Sequence, residues 1–179
     1  MTEPAPADTG IRRVHRILRP GFGTEAAVYG TLLISGLIAV SSAHGEKSLR
    51  VLITVAVTVL VFWGAHVYAG TVARLGERRP DAPDERTGLS AAFRQSLRHS
   101  FGMLSSAAIP CLVLLAGTTR IIPDDAANDV ALWTGVAILA LLGYVAFLRR
   151  GSTLLVRIIG SLGTASFGLV FVGLKALVH

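Results

Sequence analysis

Five long apolar stretches, nearly free of formal charge, constrain this 179-residue chain more than any other feature. A helix needs about 20 mostly apolar residues to cross a bilayer core of about 30 Å. Residues 51–73 contain no formal charge at all. The sequence therefore predicts an all-α, polytopic membrane helix bundle that forms one transmembrane domain over residues 11–179. The five predicted spans cover residues 26–43, 51–73, 101–117, 130–148 and 153–178.

The composition excludes several other classes of protein. Only 16% of the residues are charged, whereas soluble domains usually have about 25%. This deficit argues against a soluble enzyme, a disordered chain and a coiled coil. The single cysteine, Cys111, excludes an intrachain disulfide and a cysteine-based metal cluster.

The segments outside the spans have distinct patterns. Residues 1–10 are polar and rich in Pro and Ala, as expected of a disordered tail. Residues 11–18 and 88–100 are amphipathic, and we expect interfacial helices along the headgroups. These helices are either plain connectors or sites for lipid sensing or partner docking. The Pro- and charge-rich residues 77–87 predict an exposed, irregular loop, and Thr24 is the expected N-cap of the first span.

The basic residues predict the orientation of the bundle. Thirteen of the 17 Lys and Arg residues fall before the first span, between spans two and three, or between the end of span four and the first turns of span five. Short loops rich in Lys and Arg stay in the cytoplasm, so we expect the N-terminus inside and the C-terminus outside a bacterial plasma membrane. The whole net charge of +6 then lies on the inner face. Anionic lipid is the expected partner of that face, and no nucleic acid is expected.

The second span contains the most unusual polar residue. Trp63, His66 and Gly70 share one face of the predicted helix. His66 lies roughly 12 Å along the helix from Arg74, inside the hydrocarbon. An ionisable residue at such a depth marks a functional site by default. The alternative is a neutral histidine that hydrogen-bonds a neighbouring helix.

Three further residues fall in the same cytoplasmic layer as His66. Glu25 and Tyr29 lie at the start of the first span, and Arg157 lies near the start of the fifth. Together they predict an intramembrane polar site, either a satisfied network, a proton relay or an anion site. The alternatives are a stabilising first-turn acid for Glu25 and snorkelling to the headgroups for Arg157.

Small residues mark a packing face in the fifth span. Gly160, Thr164 and Gly168 recur at four-residue spacing, which lets two helices approach closely. This face packs either within the bundle or between protomers. In the third span, Pro110 is expected to kink or shorten the helix.

No motif predicts catalysis or a cofactor. The sequence has no P-loop, dinucleotide fingerprint, nucleophile elbow or HExxH pattern. Asp124, Asp125 and Asp129 do not match an EF-hand, so we expect no metal site. An enzyme is therefore not predicted.

The first two spans resemble a known group of proteins. Val28-Tyr29-Gly30-Thr31 followed by Phe62-Trp63-Gly64-Ala65-His66-Val67-Tyr68-Ala69 is similar to stretches of small integral membrane proteins from high-GC actinobacteria, whose function is uncharacterised. The excess of Arg over Lys fits that origin. The resemblance covers less than half of the chain and implies no reaction, but it makes Tyr29 and His66 worth testing.

Two functions follow as hypotheses. The first is a small ion or proton channel or transporter subunit, with its site at Glu25, Tyr29, His66 and Arg157. A chain of this size offers little room for a pore, so a homo-oligomer is expected, assembled through the Gly160–Thr164–Gly168 face. The alternative is a non-transporting accessory or scaffold protein, in which the polar cluster only joins helices.

Overall fold

Five long helices make up almost all of the described chain. The computed structural model describes residues 25–79 and 82–178. All five helices are long and apolar enough to cross a membrane, so the predicted all-α, polytopic membrane bundle is confirmed. In chain order they are α1 Glu25–Ala43, α2 Ser48–Arg74, α3 Leu89–Thr118, α4 Asp124–Arg149 and α5 Leu154–Val178.

Three predictions concern residues before the first described helix. The disordered tail at 1–10, the interfacial helix at 11–18 and the Thr24 cap all lie outside the described residues. Successive helices from α1 onward are joined by short connections, which lets neighbours run antiparallel. We call the end with the α2–α3 connection the hairpin end, and the other end the opposite end.

The α2–α3 connection is a β-hairpin. β1 (Arg78–Arg79) pairs antiparallel with β2 (Ala82–Arg86). The base of the hairpin is closed by two backbone hydrogen bonds, from Gly76 N to Thr87 O (3.2 Å) and from Thr87 N to Glu77 O (2.8 Å). The expectation of an irregular loop is therefore wrong here, because the two antiparallel helices hold the chain ends close enough for the strands to pair.

Helix α3 merges two segments that the sequence analysis separated. The expected interfacial helix at 88–100 and the span at 101–117 form one continuous helix of 30 residues. At 1.5 Å per residue it is about 45 Å long. Ser96 is buried and contacts α2 at Gly70, so tertiary packing continues past the predicted boundary. Pro110 lies inside α3 without ending it.

The centre of the bundle is apolar and closely packed. Ile34 and Ile38 of α1, Val55 of α2, Leu114 of α3 and Leu132 of α4 are fully buried in one cluster. The outward faces of α2 and α5 carry many exposed apolar side chains, as expected of helices whose solvent is lipid.

The small-residue stripe of α5 packs against α4 inside the chain. Thr164 Oγ1 donates to Leu139 O (2.8 Å), and a side chain at Gly168 would meet Val136 Cα at 3.0 Å. Gly160 packs against Phe147. Of the two alternatives, the structure has the intramolecular one. Contact between protomers through this stripe stays a prediction, and α4 already occupies part of the surface that it would use.

Candidate functional site

A lateral cavity of about 590 Å³ brings Tyr29 of α1 together with His66 of α2. Its volume lies within the range of about 300–1,000 Å³ that is typical of small-molecule sites. Among the described residues, only these two bring a polar group to its wall. The remaining lining residues are Leu32, Leu33, Phe62, Ala65, Ala69, Met103 and Phe171.

Helix periodicity and one close helix approach build this cavity. Phe62, His66 and Ala69 are spaced four and three residues apart, so they share one face of α2. A side chain at Gly30 would come within 2.9 Å of Met103 Cγ. Only glycine therefore lets α1 lie this close to α3, and the approach places Tyr29 at the rim of the cavity.

The two polar groups of the cavity have unused hydrogen-bonding capacity. Among the described residues, neither the Tyr29 hydroxyl nor the His66 imidazole has a hydrogen-bond partner. Tyr29 is 56% exposed, whereas His66 is half-buried. A hydroxyl and an imidazole can both donate and accept hydrogen bonds, so together they can bind the polar head of an apolar molecule.

His66 also stacks on a second histidine. The rings of His66 and His99 are nearly parallel, at 13°, with centroids 6.5 Å apart. His99 lies on the exposed side of α3, so the pair leads from the cavity to the surface of the bundle. His99 is not among the residues that the sequence pattern predicted for the site. Counting from the hairpin could have found it, because the two histidines lie at similar distances from the facing ends of α2 and α3.

The site lies at a shallow depth. Arg74 Nη1 donates to Gly70 O (2.9 Å) and to Ser96 Oγ (3.3 Å). The guanidinium is therefore level with Gly70, one helical turn from His66. Tyr29 lies one turn from the start of α1. Both observations put the cavity about 6 Å inside the apolar zone at the hairpin end, shallower than the sequence estimate.

The structure separates Glu25 and Arg157 from this pair. Glu25 is exposed at the start of α1, and Arg157 Nε donates to Ser152 O (2.8 Å). Neither lines the cavity, and among the described residues no hydrogen bond or ion pair joins either one to Tyr29 or His66. The predicted cluster of four is thus reduced to a pair, to which His99 is added.

The arrangement of the helices explains why Glu25 and Arg157 do not lie near Tyr29 and His66 although all four have a similar depth. At the hairpin end, α1 packs on α4 through Ala27, Ile138 and Leu142. Helix α5 reaches α1 further along, where Phe171 contacts Gly36. Depth can be counted along a sequence, but the position around the bundle depends on tertiary packing.

Trp63, which shares a predicted face with His66, does not line the cavity. Its indole Nε1 is buried, and within the described part of the chain it has no hydrogen-bond partner. Such unpaired buried donors are uncommon. Trp63 lies about one turn from His66 toward the middle of α2, so it borders the site but does not contribute to it.

The aspartates at the opposite end make structural contacts. Asp124 Oδ1 accepts from Ser48 N (3.0 Å), and Asp129 forms an ion pair with Lys175. Asp125 is exposed. Within residues 25–79 and 82–178, no group of three or more His, Cys, Asp or Glu side chains is placed to hold a metal ion.

No family model, curated protein or solved structure matches the chain. The chemistry of the cavity is therefore inferred from its own residues: an apolar wall, a hydroxyl, and an imidazole that stacks on a second imidazole.

Proposed function

We propose that this membrane protein binds an amphiphilic, lipid-soluble small molecule, which enters the lateral cavity from the bilayer. The observation that carries the proposal is a pair of polar groups in an otherwise apolar wall, Tyr29 and His66, which have no hydrogen-bond partner among the described residues. A few well-placed polar groups within an apolar pocket are the usual composition of a small-molecule site.

The alternative of an ion channel receives less support from the bundle. Its centre is filled by fully buried Ile34, Val55 and Leu132, which offer no polar lining to an ion. The outward faces of α2 and α5 are also apolar. A channel in a homo-oligomer would need a polar interface, and the small-residue stripe of α5 is already covered by α4.

Proton transfer is a second candidate, favoured by the stacked pair of His66 and His99. Histidine exchanges protons near neutral pH, and His99, on the exposed side of α3, would take up protons from the interface at the hairpin end. The pair would move protons between the hairpin end and a molecule in the cavity. Transport across the bilayer would then depend on the protonated molecule crossing to the other leaflet.

The hairpin end is proposed to face the cytoplasm of a bacterial plasma membrane. The support is the concentration of basic residues there. Anionic lipid would then surround the mouth of the cavity.

Photolabelling in nanodiscs tests ligand binding. The probe is a single-chain amphiphile with a diazirine near its head. We expect saturable labelling of Phe62 and Met103, and a loss of at least about tenfold in the double variant Tyr29→Phe/His66→Phe. The matched control is Tyr68→Phe, because Tyr68 lies on the exposed side of α2 outside the cavity. Equal labelling in all three proteins would exclude the cavity as a binding site and would favour the scaffold alternative.

Proton flux into liposomes tests the second candidate. With a pH-sensitive dye inside the vesicles, His66→Gln and His99→Gln should each slow flux driven by a pH gradient. Glu25→Gln should not, because Glu25 lies outside the cavity. Flux that is absent in the wild type, or equal in all variants, would rule out proton transfer by the histidine pair.

A further inference from the structure

The cavity continues into a second groove that follows α1 toward the opposite end. This groove measures about 530 Å³ and shares Leu32, Leu33 and Phe171 with the cavity. From Tyr29 to Val40 the path along α1 is about 16 Å at 1.5 Å per residue. Its remaining lining residues are Gly36, Leu37, Ala39, Val40, Ala43, His44, Leu174, Lys175 and Val178.

The two ends of this path differ in their free hydrogen-bonding capacity. At the far end, His44 Nδ1 is 2.7 Å from Val40 O, and Lys175 is ion-paired with Asp129. At the near end, Tyr29 and His66 have no such partner among the described residues. A polar head at the near end therefore meets two groups that have no hydrogen-bond partner among the described residues, whereas a carboxylate at the far end would lie beside the Asp129 carboxylate that already pairs with Lys175. An apolar tail fits the stretch between.

The charge and the depth of the site restrict which polar head group the ligand can carry. No acidic residue lines the cavity or the groove within the described part of the chain, so nothing there attracts a cationic head. The Tyr29 hydroxyl and an N–H of the His66 imidazole can both donate to acceptor oxygens. The site also lies about one turn below the Arg74 guanidinium, which favours a small head over a phosphate ester at the bilayer surface.

We infer that the ligand is a long-chain fatty acid, with its carboxylate at Tyr29 and His66 and its chain along Leu33, Gly36 and Val40. This inference rests on the proposed function and adds the class of ligand. Binding would form hydrogen bonds at the head and bury the chain against α1 and Phe171.

Competition with the photoprobe in nanodiscs tests the ligand class. Oleate should displace the probe at a total concentration at least about tenfold lower than octanoate does, because each methylene strengthens partitioning from water into the nanodisc. Variants that narrow the groove separate this partitioning from occupancy of the groove. Oleylamine has the same chain with a cationic head and should compete at least about tenfold less well than oleate. Equal competition by oleylamine would overturn the carboxylate assignment. Competition by a two-chain phospholipid as strong as that of oleate would overturn the single-chain assignment.

Two variants test the path of the tail. A side chain at Gly36 would point at Phe171 Cε1, 3.1 Å from its Cβ, so Gly36→Leu narrows the groove. Gly64→Leu is the matched control, because nothing lies within 4 Å of that position. Gly36→Leu should weaken competition by oleate about tenfold and leave competition by octanoate nearly unchanged. Gly64→Leu should leave competition by both fatty acids unchanged.

A second pair of variants covers the case in which Gly36→Leu fails to fold. Val40 is 62% exposed and lines the groove, whereas Val61 is 64% exposed and does not. Val40→Trp should therefore weaken competition by oleate with the photoprobe, and Val61→Trp should not. If neither Gly36→Leu nor Val40→Trp affects oleate while the Tyr29→Phe/His66→Phe loss persists, the fatty-acid inference fails and the proposed function stands. If labelling does not depend on Tyr29 and His66 at all, the proposed function itself fails.

Discussion

Single glycine residues set how closely the helices of this bundle approach each other. A side chain at Gly143 of α4 would meet Thr164 Oγ1 of α5 and would come within 2.6 Å of the Gly160 carbonyl oxygen. The backbone atom cannot move aside as a flexible side chain would. Gly163, also on α5, has nothing within 4 Å of its Cβ position. The two glycines therefore play different roles despite having the same chemistry.

Gly143→Ala should destabilise the protein by about 1–3 kcal/mol, because the added methyl group forces α4 and α5 apart. The measurement is the midpoint of unfolding in mixed detergent micelles, followed by circular dichroism. Gly163→Ala is the control and should leave the midpoint unchanged or slightly raise it, since alanine favours helix. A Gly143→Ala protein as stable as the control would contradict the packing of α4 on α5.

One helix end carries backbone strain that a substitution can relieve. In the turn after helix α3, Arg120 has φ 58°, and two backbone hydrogen bonds run back to the helix, from Arg120 N to Gly117 O and from Ile121 N to Ala116 O. Helix α4 ends in the same pattern with a glycine, Gly151, at φ 69°. Such a left-handed position costs roughly 1 kcal/mol for a residue other than glycine.

Arg120→Gly should therefore raise the free energy of unfolding by about 1 kcal/mol, measured in the same micelles. The reverse change at the equivalent position, Gly151→Ala, should lower it by a similar amount. A loss of stability in Arg120→Gly would show that contacts of the arginine side chain outweigh the backbone strain.

At the level of elements, hydrogen bonds fix the starts of α2 and α4 and the α1–α2 connection to one another at the opposite end. Asp124 Oδ1 accepts from the backbone N–H of Ser48, the first residue of α2, and Ser48 Oγ donates to Asp124 O (3.2 Å). The start of α4 thus caps the start of α2. Nearby, Asn128 Nδ2 donates to Glu46 O (3.1 Å), which fixes the α1–α2 connection to α4.

Asp124→Ala should destabilise the protein by about 1 kcal/mol, because it removes the acceptor for an otherwise unpaired helix N–H. Asp125→Ala changes the charge by the same amount at an exposed neighbour. The difference between the two unfolding midpoints isolates the cap from the charge effect. Equal midpoints would mean that water satisfies the Ser48 N–H as well as Asp124 does.

The elements also define what a sequence can predict here. The five spans followed from hydropathy, because a bilayer leaves the backbone few alternatives to helix. The start of α3 did not, because residues 88–100 have the amphipathic pattern of an interfacial helix, whereas the structure buries Ala92, Ser96 and Ser100. Leu89 and Phe93, on the apolar stripe of that pattern, are exposed. Burial of small residues against a second helix is a tertiary effect.

The candidate site shows the same limit. The unusual position of His66 in an apolar span was visible in the sequence, and Tyr29 was placed at its level. The cavity that joins them depends on Gly30 packing against Met103, which no local pattern predicts. Glu25 and Arg157 have suitable depths but lie elsewhere around the bundle.

For the whole molecule, the orientation in the membrane decides which leaflet opens onto the cavity. The hairpin end carries the excess of basic residues, and the opposite end sums to zero net charge. The positive-inside tendency favours the proposed orientation, with the hairpin in the cytoplasm. In that orientation a ligand would enter from the inner leaflet, and His99 would take up protons from the cytoplasmic side.

Cysteine labelling tests this orientation directly. Cys111 is the only cysteine, so Cys111→Ser gives a clean background for Asp84→Cys in the hairpin and Asp125→Cys at the opposite end. In intact cells, a membrane-impermeant maleimide should label the protein with Asp125→Cys and should label Asp84→Cys only after permeabilisation. The two positions control for each other, because both replace an aspartate in a connection or at a helix start. The inverse pattern would place Tyr29 and His66 in the outer leaflet, and the histidine pair would then face the acidity outside the cell.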